Sequence, residues 1–272
     1  MQAKILTTPR GNVCYWVDAV PGAKALVLLH GLTADHTLFD QQVKALAGRY
    51  TLLLWDTPAH GASRPYRDFT YAHAAEDLLA ILDAEGLERV TLVGQSMGGF
   101  VAQALIAEHP QRVEGFVGID TCPLGEDYYS RSDRWWLRQV EGMALWYPLP
   151  LLRWAMTRQC ARTPYGRANM RAILQQYGKR ELCRLMGLGF GDFLTINRDI
   201  TIPCPTLLMI GEFDKTGKVR QYCDAWHEKT GFPLLVIANA AHNANADQPE
   251  RVNQAIQQFV DGLGRSPDKA NA

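Results

Sequence analysis

Short apolar runs that end in turn residues alternate with segments of helical period along most of this 272-residue chain. That rhythm restricts the possible folds more than any other feature of the sequence. Strands separated by helix-length crossovers pair in parallel, so the rhythm implies an α/β architecture with a mostly parallel central sheet flanked by helices. Strands are expected at 25–29, 51–55, 89–93, 113–119, 206–210 and 234–237, and helices at 37–48, 70–86, 101–108, 218–229 and 249–263. The first pair departs from the rhythm: residues 2–8 and 12–19, split by Pro9-Arg10-Gly11, read as an antiparallel hairpin at a sheet edge. Thr70 is placed to cap its helix and Gly86 to end it.

From Thr121 to Asp199 no strand-length apolar run occurs, and four of the seven tryptophans (Trp135, Trp136, Trp146 and Trp154) fall in this segment. The expected organisation is a core of residues 1–120 and 200–272 interrupted by a helical cap, residues 121–199. The terminal SPDKANA is expected to fray.

Twenty-eight Lys and Arg balance twenty-eight Asp and Glu, so the charge footprint of a nucleic-acid binder is absent. Six cysteines are scattered without zinc-type spacing, which implies reduced, packed thiols and no metal site. No basic leader precedes an apolar stretch, and no apolar run approaches 18 residues, so a cytoplasmic protein without a membrane span is expected.

The strand at 89–93 runs into Gly94-Gln95-Ser96-Met97-Gly98-Gly99 and then a helix. With 23 Gly and 5 Ser in the chain, about 0.04 Gly-x-Ser-x-Gly patterns arise by chance, so the bare motif is moderately specific and its context decides. A strand entering and a helix leaving force a sharp turn, which lifts the serine oxygen off the carboxyl edge of the sheet toward helix N–H groups. A serine needs a base and an orienting carboxylate to act as a nucleophile. Asp214 and His242 each follow a strand, which sets both at that same edge.

These motifs resemble the α/β-hydrolase superfamily over nearly the whole chain. The resemblance rests on His30-Gly31, the segment Asp56 to Ser63, the elbow Gly94 to Gly99, Gly211 to Asp214, and His242 with Asp247-Gln248-Pro249-Glu250. It implies Ser96 as nucleophile, His242 as general base and then acid, and Asp214 as the group orienting the imidazole. The oxyanion hole it implies uses the backbone N–H groups of Met97 and Leu32, with Thr33 as the substitute for Leu32. Asp120 is the alternative acid. His30 and His60 are expected to brace turns, His36 to be a solvated loop residue, and His73, His109 and His227 to sit in or at the ends of helices. Two positions depart from the family pattern: Ala59 and Ala241 stand where glycine is frequent, and alanine is expected to exclude the positive φ that glycine allows.

The resemblance further implies a serine hydrolase of a small to medium carboxylic ester, lactone or thioester, with no cofactor or metal and a small molecule as its partner. Carbon–carbon hydrolysis of a vinylogous diketone uses the same three residues and stays open, as does a non-catalytic ligand receptor. Relatives that act as haloalkane dehalogenases or epoxide hydrolases carry aspartate where this chain has Ser96. Residues 122–199 hold twelve Lys or Arg against seven Asp or Glu. Those arginines either coat exposed helix faces or face the pocket and attract an acidic substrate. The aromatic residues there either hold the cap on the core or line the pocket.

Overall fold

The computed structural model describes residues 1–264. Strands β1 (Gln2–Thr8) and β2 (Gly11–Asp18) form the expected hairpin, in register from Gln2 opposite Val17 to Thr8 opposite Gly11. After β3 (Ala25–Leu29), the single helix expected over 37–48 is two pieces, a 3-10 turn at His36–Phe39 and α1 (Asp40–Leu46). The break follows from a local cap: Asp35 accepts from Thr37 N and tightens the first turn.

Next come β4 (Thr51–Trp55), α2 (Tyr71–Ala84), β5 (Val90–Gln95), α3 (Met97–Glu108) and β6 (Val113–Ile119). Thr70 caps α2 by accepting from His73 N, and Gly86 follows the helix with φ 64°. Four helices precede the next strand: α4 (Arg131–Trp146), α5 (Leu149–Cys160), α6 (Pro164–Gln175) and α7 (Lys179–Ile196). The chain then makes β7 (Thr206–Gly211), α8 (Val219–Thr230), β8 (Leu234–Ile237), α9 (Ala244–Asp247) and α10 (Pro249–Gly262). The terminal SPDKANA lies outside the described residues.

The eight strands make one sheet in the order β1-β2-β4-β3-β5-β6-β7-β8. From β4 through β8 neighbouring strands are parallel, and the hairpin forms the antiparallel edge. This architecture is the expected one. Side chains alternate between the two faces, so Leu26, Leu28, Leu52 and Val93 pack with Leu46 of α1 and Ile256 of α10. Val27, Leu29, Leu53 and Leu92 pack on the opposite side with Leu78 of α2 and Leu105 of α3. Burial on both faces explains why these strands are continuous apolar runs rather than alternating ones.

In the segment between β6 and β7, α4 packs along α7 and α5 along α6. Leu152, Met170, Ile173, Leu174 and Leu182 form a core of their own that reaches Leu38. A capping box starts α4: Ser130 Oγ accepts from Asp133 N, and Asp133 Oδ2 accepts from Ser130 N. The tryptophans here neither join this core nor enter a cavity. Trp135 is 53% exposed, Trp136 55%, Trp146 89% and Trp154 58%. Among the described residues no helix is long and apolar enough to cross a membrane.

Candidate active site

Parallel strands present their carboxyl ends at one edge, so the segments after β3, β5, β6, β7 and β8 meet there. Ser96 sits at the apex between β5 and α3 with φ 49° and ψ −116°, and its N–H donates to Ile119 O at 2.8 Å. That backbone is strained for a residue with a Cβ, and its neighbours must be small. A Cβ on Gly94 would stand 2.6 Å from Gly99 N, and one on Gly98 would stand 2.0 Å from Leu29 O. The helix expected to start near 101 therefore begins at Met97, because glycines let it approach β3 directly.

Ser96 Oγ lies 2.9 Å from His242 Nε2, and His242 Nδ1 lies 2.8 Å from Asp214 Oδ2. An ionised carboxylate only accepts, so Nδ1 carries the proton and donates to Asp214, which leaves Nε2 to accept from the serine hydroxyl. Asp214 is held in turn by Thr216 N at 2.8 Å. Burial pushes the His242 imidazole toward lower pKa, but the Asp214 charge and hydrogen bond outweigh it and raise the pKa above the ordinary value. Burial alone would raise Asp214; the facing imidazole and the Thr216 hydrogen bonds instead hold it below the usual carboxylate range. A hydroxyl on an imidazole anchored to a carboxylate can pass its proton on as its oxygen attacks.

Asp120 is fully buried but makes no hydrogen bond to the imidazole. Its Oδ1 accepts from Gly211 N at 2.7 Å and its Oδ2 from Ala244 N at 2.9 Å. Asp120 therefore ties β7 to the loop carrying His242. Burial, and then the neighbouring Asp214 charge, push its pKa well above the carboxylate range.

Leu32 and Ser96 both line one cavity, and Met97 follows Ser96 with its side chain in the core. Met97 N is the first amide of α3, where an N–H has no intrahelical partner. Thr33, the substitute donor, lines the same cavity with φ 61°. The loop bearing them is braced as expected: His30 Nδ1 donates to Gly31 O at 2.8 Å, and Thr57 N donates to His30 Nε2 at 2.9 Å. His60 Nδ1 donates to Pro58 O at 3.1 Å, and burial lowers the pKa of that ring to about 3. His36 is not a solvated residue: its ring stacks on Trp16 at 3.7 Å and Nδ1 meets Asp56 Oδ1 at 2.8 Å. His73 and His227 bond the carbonyls of Asp68 and Phe232, and His109 stands at the C-terminal end of α3.

Two residues with no assigned role position this site. Gln95 Nε2 donates to His242 O at 2.8 Å, and its Oε1 occupies the space a side chain at Gly31 would need. Asp247, visible earlier only as part of a motif, accepts from Ala241 N, Arg162 N and Thr163 N at 2.8–3.0 Å. It thereby fastens the His242 loop to the start of α6. Its signal was present as an Asp five residues after the histidine, but only the fold shows which amides it gathers.

The cavity measures about 350 Å³, and its walls include Phe100, Tyr129, Leu137 of α4, Met156 of α5 and Phe190 of α7. Among the described residues no arginine lines it. This overturns the reading in which arginines of the 122–199 segment face the pocket: Arg153 bonds Tyr177 O, Arg162 stacks on the Phe213 ring and Arg198 pairs with Glu108. The cation that does line it, Lys218, is held by Asp133 at 2.6 Å. No group of three or more potential metal ligands occurs among the described residues.

Comparison with known proteins agrees with this fold. A family model described as the alpha/beta hydrolase fold matches residues 24–152. The chain is 26% identical over 258 residues to 3-oxoadipate enol-lactonase 1 of Acinetobacter baylyi, covering 91% of this chain and 92% of that protein. It is 22% identical over 276 residues to (E)-2-((N-methylformamido)methylene)succinate hydrolase of the same organism, covering 96% and 99%. Among solved structures, a thermophilic esterase from Thermogutta terrifontis superposes with TM-score 0.80 at 22% identity, covering 97% of this chain and all of the other. An enol-lactonase from Burkholderia xenovorans LB400 superposes with TM-score 0.77 at 19% identity, covering 95% of this chain and all of the other.

Proposed function

We propose that the chain is an α/β-hydrolase acting as a serine hydrolase of uncharged carboxylic esters, lactones or thioesters of modest size, a reading supported by the family match over residues 24–152 and by the fold. Ser96 Oγ attacks the carbonyl carbon while His242 Nε2 takes its proton, and Asp214 stabilises the resulting imidazolium. The oxyanion accepts from the N–H groups of Leu32 and Met97. The tetrahedral species collapses with proton transfer from His242 to the departing alcohol or thiol. Water, deprotonated by the same imidazole, then attacks the acyl-enzyme and releases the acid. Residues 121–199 serve as the cap over this site, the partner is a small ester-type molecule, and six free cysteines suit a reducing, cytoplasmic setting.

The observation that carries the reading is the continuous hydrogen-bonded line Ser96–His242–Asp214 at a cavity wall. The substrate charge follows from the lining. A dienoic ring-fission product, the substrate of the carbon–carbon hydrolase reading, carries a carboxylate, and the cavity offers it only a lysine already neutralised by Asp133. The test is labelling by a fluorophosphonate together with turnover of p-nitrophenyl butyrate. Ser96 is expected to be the labelled residue, and Ser96→Ala is expected to lower turnover by at least about 10³-fold. Unlabelled Ser96 in folded protein would overturn the reading in favour of a ligand receptor, and faster decay of the dienoic product than of any ester would favour carbon–carbon hydrolysis.

A further inference from the structure

Eight of the twelve large apolar side chains exposed among the described residues fall between Trp135 and Trp154. In α4, Trp135, Gln139, Met143 and Trp146 recur at i, i+4, i+8 and i+11, which places them along one side of the helix, with Trp136 beside them. Across the helix Leu137 and Val140 line the cavity, and Ala144 is buried. Helix α5 repeats the arrangement: Met156 lines the cavity while Leu151 and Trp154 are exposed. The two helices therefore have an apolar inner side facing the cavity and an aromatic outer side facing away from it. The two helices follow one another through Tyr147-Pro148, and a protein surface rarely leaves so many large apolar side chains exposed on consecutive helices without a partner.

The charge beside the patch identifies the partner. Residues 131–162 carry six arginines and two acidic residues, in a chain whose total charge is zero. Of the two acids, Asp133 pairs with Lys218, and Glu141 lies against Gly187 of α7, so the arginines outnumber the acids left beside the patch. Arg131, Arg138 and Arg158 are exposed beside the aromatics, and the Arg158 guanidinium stands 5.5 Å from the Trp154 ring centre. A second copy docked by the same face would set arginine against arginine, because a twofold contact pairs a patch with itself. An interface of anionic headgroups over acyl chains meets both features, with indoles at headgroup depth and guanidinium groups on phosphates.

We propose that the outer side of α4 and α5 docks on an anionic phospholipid bilayer and holds the molecule there peripherally. The inference does not depend on the catalytic reading. Docking by this face brings the roof of an apolar cavity to the lipid surface, where uncharged acyl esters concentrate.

The full chain is incubated with vesicles of equimolar phosphatidylcholine and phosphatidylserine, or of phosphatidylcholine alone, and sedimented. The expected result is binding to the mixed vesicles that weakens as salt rises, with little binding to phosphatidylcholine. Each of Arg131→Gln and Arg138→Gln is expected to weaken partitioning about fivefold. Trp136→Ala with Trp146→Ala is expected to weaken it at least about tenfold. These exposed positions contact no catalytic group, so all three variants keep wild-type turnover of a soluble ester, which also reports that they fold. Absence of wild-type binding to the mixed vesicles overturns the proposal. So does a concentration-dependent dimer, seen by analytical ultracentrifugation, that the two tryptophan substitutions dissolve.

Discussion

Ala59 shows what a single residue can carry against expectation. Alanine there was expected to exclude positive φ, yet it adopts φ 69° in the loop after β4. A left-handed alanine costs on the order of 1–2 kcal/mol, a strain the packing of that loop sustains. Ser96, Thr33 and Asp120 also have positive φ, so strain collects at the carboxyl edge where the proposed chemistry takes place. His242 supports a prediction at the same scale. Its pKa is raised by Asp214, and in the proposed mechanism only the neutral imidazole accepts the serine proton. Activity is therefore present above that pKa and lost as pH falls through it, with the acid limb of kcat/KM centred above about 6.5. A limb centred below the free imidazole value, or a flat profile down to pH 5, would contradict this electrostatic account. The preference for Asp214 over Asp120 came with the family resemblance. What Asp120 does instead was not readable, because it depends on which N–H groups that carboxylate meets.

At the scale of elements, the turn from β5 into α3 depends on glycine for space as much as for conformational freedom. A Cβ on Gly98 would lie 2.0 Å from the backbone oxygen of Leu29, which cannot move without shifting β3. Gly98→Ala is expected to cost about 2–4 kcal/mol, read as a lower urea midpoint at unchanged slope, and to reduce activity through displacement of Ser96. Gly142 in α4 provides the contrast, since apart from its chain neighbours and the backbone of its own helix no atom lies within 4 Å of the position its Cβ would take. Gly142→Ala is expected to stabilise by about 0.5–1 kcal/mol. Equal effects at the two positions would show that propensity, not the close approach to β3, sets the requirement. The strands and most core helices were visible as periodic or continuous apolar segments. The division of the first crossover into a 3-10 turn and α1 was not, because it follows from the Asp35 side chain competing for a backbone amide.

For the whole molecule, a balanced total charge conceals an uneven distribution. Positive charge gathers on the outside of the helical segment while the cavity beneath it is lined mainly by apolar side chains. Transferring an unpaired carboxylate into such a cavity is unfavourable. The kcat/KM for p-nitrophenyl butyrate or hexanoate is therefore expected to exceed that for the p-nitrophenyl monoester of succinic acid by at least about tenfold. The reverse order would mean that Lys218 leaves Asp133 to receive the acid. Two relatives of similar length have names built on 3-oxoadipate and succinate, so this comparison of neutral and acidic esters bears on whether the present cavity shares that preference.

Local pattern alone determined the parallel α/β core and the strand-to-helix elbow, because period, turn residues and strand ends are written within a few residues of one another. Tertiary structure decided what the helical segment does with its side chains. Helix α4 carries apolar groups on opposite sides, Leu137 and Val140 on one and Trp135 and Trp146 on the other, so its pattern has no single apolar face to point at the core. Only packing against α7 and over the cavity selected the side turned inward and left the tryptophans and their arginines outside.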